Sequence, residues 1–453
     1  MDRRRFLKVT AAGALGALAA PASTSAAHAR ETTVFVGGPI HSMTRRGRLS
    51  AIAIHGGRIV AVDDAARFLL RLGARRLDLR GRALYPGFID AHSHWYGDFV
   101  RAADANPAWT DVASGEDAVH KAVASGWTTV TEHFANEDRI LGLAGLDSLH
   151  ALPLRVNCYM PANFATDRFG DWYLAHPQDE QVSPRVRIAG VKFFADGGLT
   201  PYLREPYDVC RYPSGDNRGD LWWEPAELEL AMGAAHRAGY QLTVHCSGDG
   251  ATDVLLDILA HIDPASSNPM RSNLTHLILL HDDQIARLRS QRIVANIQLS
   301  WFAADDAASL LCWLGPTRVE GIGRWRDLLD ARVRTCGSTD FPWSLPTSGP
   351  VLQTLYTATT RIGSSGAPPP AWMAAQRITT LEAIRLLTRG SAWAAREETI
   401  KGALAPGMLA DLVVFSGDPL AVDPTALLDL RVAATIVGGE AAYVDPAHPD
   451  LAI

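Results

Sequence analysis

The chain has 453 residues, a formal charge of −6 and 47% hydrophobic residues, which is enough to bury a large core and leaves room for a barrel plus an accessory domain. The acidic balance argues against nucleic acid as a partner. The five cysteines, Cys158, Cys210, Cys246, Cys312 and Cys336, include no Cys-x-x-Cys pair; they suit buried thiols better than a zinc knuckle or disulfide framework, with a single bridge left open.

In chain order, Arg3, Arg4 and Arg5 precede an apolar Ala/Gly/Leu stretch and the small-residue pattern Ala27-His28-Ala29. Residues 1–29 therefore read as a twin-arginine export signal, too short in its apolar part to span a membrane comfortably. Its removal takes away Arg3, Arg4, Arg5 and Lys8 against Asp2, moving the charge from −6 to −9. The expected mature protein is exported to the periplasm or the medium, without stable membrane insertion.

Three β-rich pieces follow, at 32–36, 51–62 and 76–84, the middle one turning at Gly56-Gly57 as a hairpin would. More β-rich sequence returns at 410–415 and 434–444. The two chain ends are therefore expected to pair into one small β-sandwich, from residues 30–85 and 397–453. Between them, over 86–396, apolar runs of strand length alternate with helical periods such as 225–239 and 252–261. The eight runs begin with the segment ending at His94 and continue at 128–133, 154–159, 190–196, 241–246, 274–279, 292–298 and 333–340. This alternation predicts an α/β fold, a (β/α)8 TIM barrel, whose chemistry sits at the C-terminal strand ends.

The first run, Tyr85-Pro-Gly-Phe-Ile-Asp-Ala-His-Ser-His94, closes on two histidines spaced i, i+2. On a strand both project from one face and can reach one metal ion. The other polar residues near strand ends are Lys192, His245, His276 and Asp340 on strands 4, 5, 6 and 8. Together with Lys401-Gly-Ala-Leu-Ala-Pro-Gly-Met-Leu-Ala-Asp-Leu-Val-Val414, this set resembles the amidohydrolase superfamily over essentially the whole mature chain. Val191-Lys-Phe-Phe-Ala-Asp-Gly-Gly198, Val244-His-Cys-Ser-Gly-Asp249 and Gly337-Ser-Thr-Asp-Phe-Pro342 are similar to the YtcJ-like (amidohydrolase family 3) branch, which includes N-substituted formamide deformylases.

The resemblance implies that His92, His94, Lys192, His245, His276 and Asp340 hold one or two divalent ions, zinc being the ion the imidazoles suit. It also implies that Lys192 can be carbamylated and bridge a metal pair; an unmodified lysine paired with Asp196 or Glu132 is the alternative. Asp340 is the expected general base and, later, general acid. His281 rivals His276 as the strand 6 ligand, His133 is either a substrate contact or an ordinary strand end, and Asp90 and Asp249 are expected to orient ligand histidines. Trp95, Tyr96, Tyr202, Trp301, Phe302, Phe341 and Trp343 would surround an apolar substrate group, and Arg204 and Arg361 are candidates for a substrate carboxylate. Two departures from the branch bear on substrate: only 97 residues separate His94 from Lys192, and Gly337-Ser-Thr-Asp340 has one residue more than the usual motif.

The expected activity is metal-dependent hydrolysis of a carbon-nitrogen bond in a small amide, formamide or cyclic amide. A deaminase, a lactone hydrolase and a non-catalytic exported metal-containing binding protein remain open alternatives, as does assembly of the chain into a homo-oligomer.

Overall fold

The computed structural model describes residues 32–95, 115–164, 167–198, 200–343 and 349–453. The expected export signal and Tyr96 lie outside them. No helix among the described residues is long and apolar enough to cross a membrane.

The N-terminal part forms β1 (Thr33–Val36), β2 (Ile40–His41), β3 (Arg48–Leu49), β4 (Ile52–His55), β5 (Arg58–Val62), β6 (Arg75–Asp78) and β7 (Ala83–Pro86). The β4–β5 hairpin turns where expected, with Gly56 at φ 54° and Gly57 at φ 77°. Both values match the left-handed turn that right-twisted hairpins favour. Two features went unread in the sequence. The pair β2–β3 is too short to show a period, and the helix Asp63–Arg71 is only nine residues long with Ala66 its one buried side chain.

The barrel strands follow as β8 (Phe88–Ser93), β9 (Trp127–Glu132) and β10 (Arg155–Pro161). A small hairpin, β11 (Asn163–Phe164) with β12 (Asp167–Phe169), and the short β13 (Gln181–Ser183) lead into β14 (Val186–Phe194). Then come β15 (Leu242–Cys246), β16 (Asn273–His276), β17 (Val294–Gln298) and β18 (Thr335–Ser338). The eight strands neighbour one another in chain order, from β8 and β9 through β10, β14, β15, β16 and β17 to β18, and each ladder is parallel. Strands enclosed by helices outside and side chains inside are buried on both faces, hence their unbroken apolar runs. The seam between β18 and β8 is closed just beyond the strands. Asp340 N donates to His92 O at 2.8 Å and His94 N to Phe341 O at 2.7 Å.

The crossover helices start and stop on recognisable signals. Pro225–Arg237 opens with proline in its first turn, where the missing N–H costs nothing. It ends before Gly239, whose φ of 87° is the left-handed stop that glycine supplies. Asp249–Ile262 begins three residues earlier than its apolar period shows.

At the C-terminus, β19 (Leu412–Phe415) pairs with β7, and β20 (Val432–Val437) with β21 (Glu440–Val444), so that β21, β20, β19, β7, β2 and β3 form one sheet. A second sheet runs β5, β4, β1, β6. Phe35, Ile52, Ile54 and Leu77 of this second sheet share one apolar core with Leu84, Leu412, Val414 and Ile436 of the first. The fold is thus the expected (β/α)8 barrel with additional sheets drawn from both ends of the chain.

Cys158, Cys246 and Cys336 are buried thiols, as expected, while Cys210 and Cys312 form a disulfide. The bridge ties the segment after β14 to the helix Ala307–Arg318 that follows β17.

Candidate functional site

The six residues singled out from the sequence converge at one end of the barrel. His92 and His94 leave the last turns of β8, Lys192 lies in β14, His245 in β15, His276 ends β16 and Asp340 lies two residues beyond β18. Asp340 is the hub. Its Oδ1 lies 3.1 Å from His92 Nε2 and 3.4 Å from His94 Nε2, and its Oδ2 lies 4.0 Å from His276 Nδ1. His92, His276 and Asp340 each offer a ligand atom, all within 4.8 Å of one another. The His245 ring centroid is 4.4 Å from that of His276.

Two of these residues hold unusual backbone. His276 has φ 82° and Asp340 φ 58°, a left-handed region that costs a residue with a Cβ on the order of 1–2 kcal/mol. In β16 this turn ends the strand at His276, short of the expected 279, and swings Leu277–Leu280 out of the ladder. Strain of this kind persists only where surrounding contacts fix it, and the seam hydrogen bond from Asp340 N is one such contact.

Protonation follows from burial and neighbours. Burial holds His92, His133, His245 and His276 well below the usual histidine range, and the Lys192 charge pushes each further down. Burial also pulls on His94, but Asp340 and Glu132 outweigh it and raise it. Burial pushes Lys192 down to about 7, against the pull of Asp340, and drives the Asp340 carboxyl up. Neutral imidazoles with free lone pairs are what a divalent ion needs.

A divalent ion fits these residues. His92 Nδ1 is buried without a hydrogen-bond partner, and an unsatisfied polar atom in such a place calls for one. His133 Nδ1 is likewise without a partner, whereas one nitrogen on each of three other histidines has a neighbour. His94 Nδ1 lies 3.3 Å from Glu132 Oε1, His276 Nδ1 lies 3.0 Å from Gln298 Oε1, and His245 Nε2 is 3.2 Å from Ser247 Oγ and 3.7 Å from Asp196 Oδ1.

Several expectations are corrected. Lys192 pairs with neither Asp196 nor Glu132; its hydrogen-bond partner is Thr275 Oγ1 at 3.3 Å. Asp249 does not orient His245 but bonds His281 Nε2 at 2.8 Å, which takes His281 away from the cluster as a rival ligand. Asp90 holds the seam instead of a histidine ring, accepting from Thr339 N, Thr339 Oγ1 and Trp95 Nε1. His133 faces inward, stacked on His92 at 3.8 Å and bonded through Nε2 to Ala91 O. Arg204 is occupied by Asp253 and Asp283. Arg361 is buried over Trp325 and donates to the carbonyls of Phe302, Gly323 and Gln376. Neither arginine is free for a substrate carboxylate.

Of the expected aromatic mouth, Trp95 and Phe341 are fully buried and stacked at 4.0 Å, so they pack the loops. Trp301 does reach the cluster, lying parallel to His276 at 5.2 Å. Sequence reasoning missed Gln298 and Trp222. The latter stacks on Phe194 at 5.6 Å and lies nearly parallel to His245 at 6.4 Å. Gln298 does carry a signal, because it is a polar residue at the C-terminal end of a barrel strand.

The site is thus a cluster of histidines, a lysine and a carboxylate gathered at the strand ends of a parallel eight-stranded barrel. The chain belongs to the amidohydrolase family, whose sequence profile matches residues 113–443. It is 30% identical over 270 residues to the Bacillus subtilis protein YtcJ, covering 59% of this chain and 49% of that one, so it spans about half that relative's length. It is 24% identical over 387 residues to the N-substituted formamide deformylase of Arthrobacter pascens, covering 78% of this chain and 69% of the relative. Among solved structures, an uncharacterized metal-dependent hydrolase from Pyrococcus horikoshii superposes with a TM-score of 0.72 at 20% identity, covering 87% of this chain and 99% of that one.

Proposed function

We propose that this protein is a metal-dependent amidohydrolase that cleaves a carbon-nitrogen bond in a small amide, formamide or cyclic amide. The observation that carries the reading is the meeting of His92, His276 and Asp340 within 4.8 Å at the strand ends. His92, His94, His245, His276 and Asp340 would hold one or two ions, zinc by preference of the nitrogen donors. A divalent ion held there polarises a carbonyl and lowers the pKa of water toward 7. Asp340 takes the water's proton and returns it to the leaving nitrogen. Burial raises its carboxyl above the usual carboxylate range, and its place beside His92 and His94 puts it within reach of that proton. Lys192, held near pKa 7 in an apolar strand, keeps a share of its amine unprotonated. That amine can add to carbon dioxide, forming an N–C bond and releasing a proton, and the resulting carbamate is the form we assign to it.

We assign the protein to an exported, oxidising location through residues 1–29. The Cys210–Cys312 bridge supports this, since such bonds persist outside the reducing cytosol. Fusion of residues 1–29 to a reporter, with Arg3, Arg4 and Arg5 changed to lysine as control, tests it; a reporter retained with the native leader would overturn the assignment.

The activity is tested by metal analysis of the purified protein and by turnover of N-acyl and N-formyl amines before and after chelation. Turnover that chelation abolishes and metal restores is the expected result. Release of ammonia in place of an amine and a carboxylate would transfer the protein to the deaminases. Failure to bind metal after reconstitution would sink the mechanism.

A further inference from the structure

Beyond His276 and Asp340 the barrel mouth opens into a cavity of about 230 Å³ whose walls include Trp301, Phe302, Leu310, Trp313 and Trp343. It adjoins the reacting centre directly. Trp301 lies parallel to the His276 ring, and Trp343 N donates to Asp340 O at 2.8 Å. In this apolar lining sits one carboxylate, Asp306.

Asp306 has a structural contact but no counter-charge. Its Oδ2 accepts from Ala303 N at 3.0 Å, and among the described residues no arginine, lysine or histidine pairs with it. Arg211 lies over the Trp313 ring at 3.8 Å without pairing with Asp306. Burial lifts the Asp306 carboxyl to about 6, and the nearby charge of Asp305 adds to the rise; the group is still largely ionised at pH 7.5. A carboxylate kept in apolar surroundings is costly without a cation beside it. The surrounding indole faces attract cations as well. Trp301 Nε1 is a buried donor with no acceptor, leaving one N–H to offer a ligand.

We propose, resting on the amidohydrolase reading, that this cavity receives a substrate group joining an apolar body to a protonated amine, and that Asp306 selects for that charge. The carboxylate accepts from the ammonium, the indole faces flank it, and Trp301 Nε1 donates to a polar atom of the same molecule. Asp306 is the one carboxylate in the lining of this cavity, so it is the group there that can favour a cation.

Three probes of one shape test the proposal by calorimetric titration of the purified full chain: benzylammonium, benzyl alcohol and benzoate. Benzylammonium is expected to bind at least about tenfold more tightly than benzyl alcohol, with benzoate the weakest. Asp306→Asn keeps an acceptor for Ala303 N and should bring the first two within about twofold. Equal binding of benzylammonium and benzyl alcohol to the unaltered protein would overturn the proposal, as would a preference that survives D306N. Should D306N not fold, the charge preference of the unaltered protein decides alone. Because binding requires no turnover, the two readings fail separately. A cation preference without hydrolysis of any amide would count against the hydrolase reading alone, and hydrolysis without a cation preference would count against the pocket alone.

Discussion

Replacing Asp340 by asparagine removes its carboxylate while leaving its main-chain contacts in place. Its backbone N–H to His92 O and its carbonyl to Trp343 N are main-chain bonds and survive the change. Its left-handed φ of 58° is a conformation that asparagine tolerates better than other side-chain-bearing residues. Burial penalises the charged carboxylate, so the neutral amide should not lower folding stability. What D340N removes is the group proposed to accept and return a proton, a contribution typically of about 10²–10⁴ in rate, or roughly 3–5 kcal/mol. The assay is kcat and KM on the best substrate, with bound metal and thermal midpoint measured on the same sample. The expectation is a kcat loss in that range at saturating metal, with KM and midpoint little changed. Retention of more than a tenth of kcat would refute the proton-shuttle role. Loss of metal together with rate, reversed by excess metal, would instead make Asp340 chiefly a ligand. Asp340→Ala serves as a contrast, because it adds about 1–2 kcal/mol of left-handed backbone strain.

Three further outcomes test the surrounding architecture. Replacing both Cys210 and Cys312 by serine opens a link between residues 102 apart and should cost about 2–4 kcal/mol in urea unfolding, whereas an unchanged midpoint would show that the mouth is held without it. Lys401→Met removes the 2.7 Å ion pair to the buried Glu397, which keeps Asn157 at 2.9 Å and Arg187 at 3.9 Å, and should cost about 1.5–3 kcal/mol; adding Glu397→Gln should recover part of that, and a double variant no better than the single would contradict the buried-charge argument. Two hydrogen bonds from Arg326 hold the Glu382 carboxyl down to about 2, against the usual 4.5. A depressed carboxylate contributes stability above its unfolded pKa and loses it as pH falls through its folded one. The difference in thermal midpoint between the native protein and Glu382→Gln should therefore shrink between about pH 5 and pH 2, and a constant difference would argue against this linkage.

The barrel was legible because each of its strands must be apolar on both faces, leaving runs such as Val244 and Leu274 with their neighbours standing out between helical periods. The residues that cluster at the strand ends were legible for a related reason. A histidine or lysine at the end of such a run has nowhere to point except into the barrel mouth. What the sequence concealed were pairings across space. Nothing in the chain says that Asp249 meets His281 while Asp196 lies by His245, because both carboxylates stand near strands of similar character. Arg361 illustrates the limit further. It was a candidate for a substrate carboxylate, yet its guanidinium donates to three backbone carbonyls. The ends of β16 were misjudged because Leu277–Leu280 is apolar enough for a strand, and only the left-handed turn at His276 and Leu277 stops it.

The seam at Asp90 has a consequence for how the protein comes into being. Asp90 grips Thr339 across 249 positions of chain, and the two seam hydrogen bonds tie the backbone at His92 and His94 to that at Asp340 and Phe341. Contacts this distant form late, after the loop-closure entropy has been met. A growing polypeptide can therefore assemble most of its histidines early and yet own no finished centre until its last barrel strand docks. The clustered site is thus a property of the completed barrel, and a truncated product ending before residue 340 lacks the carboxylate at its hub.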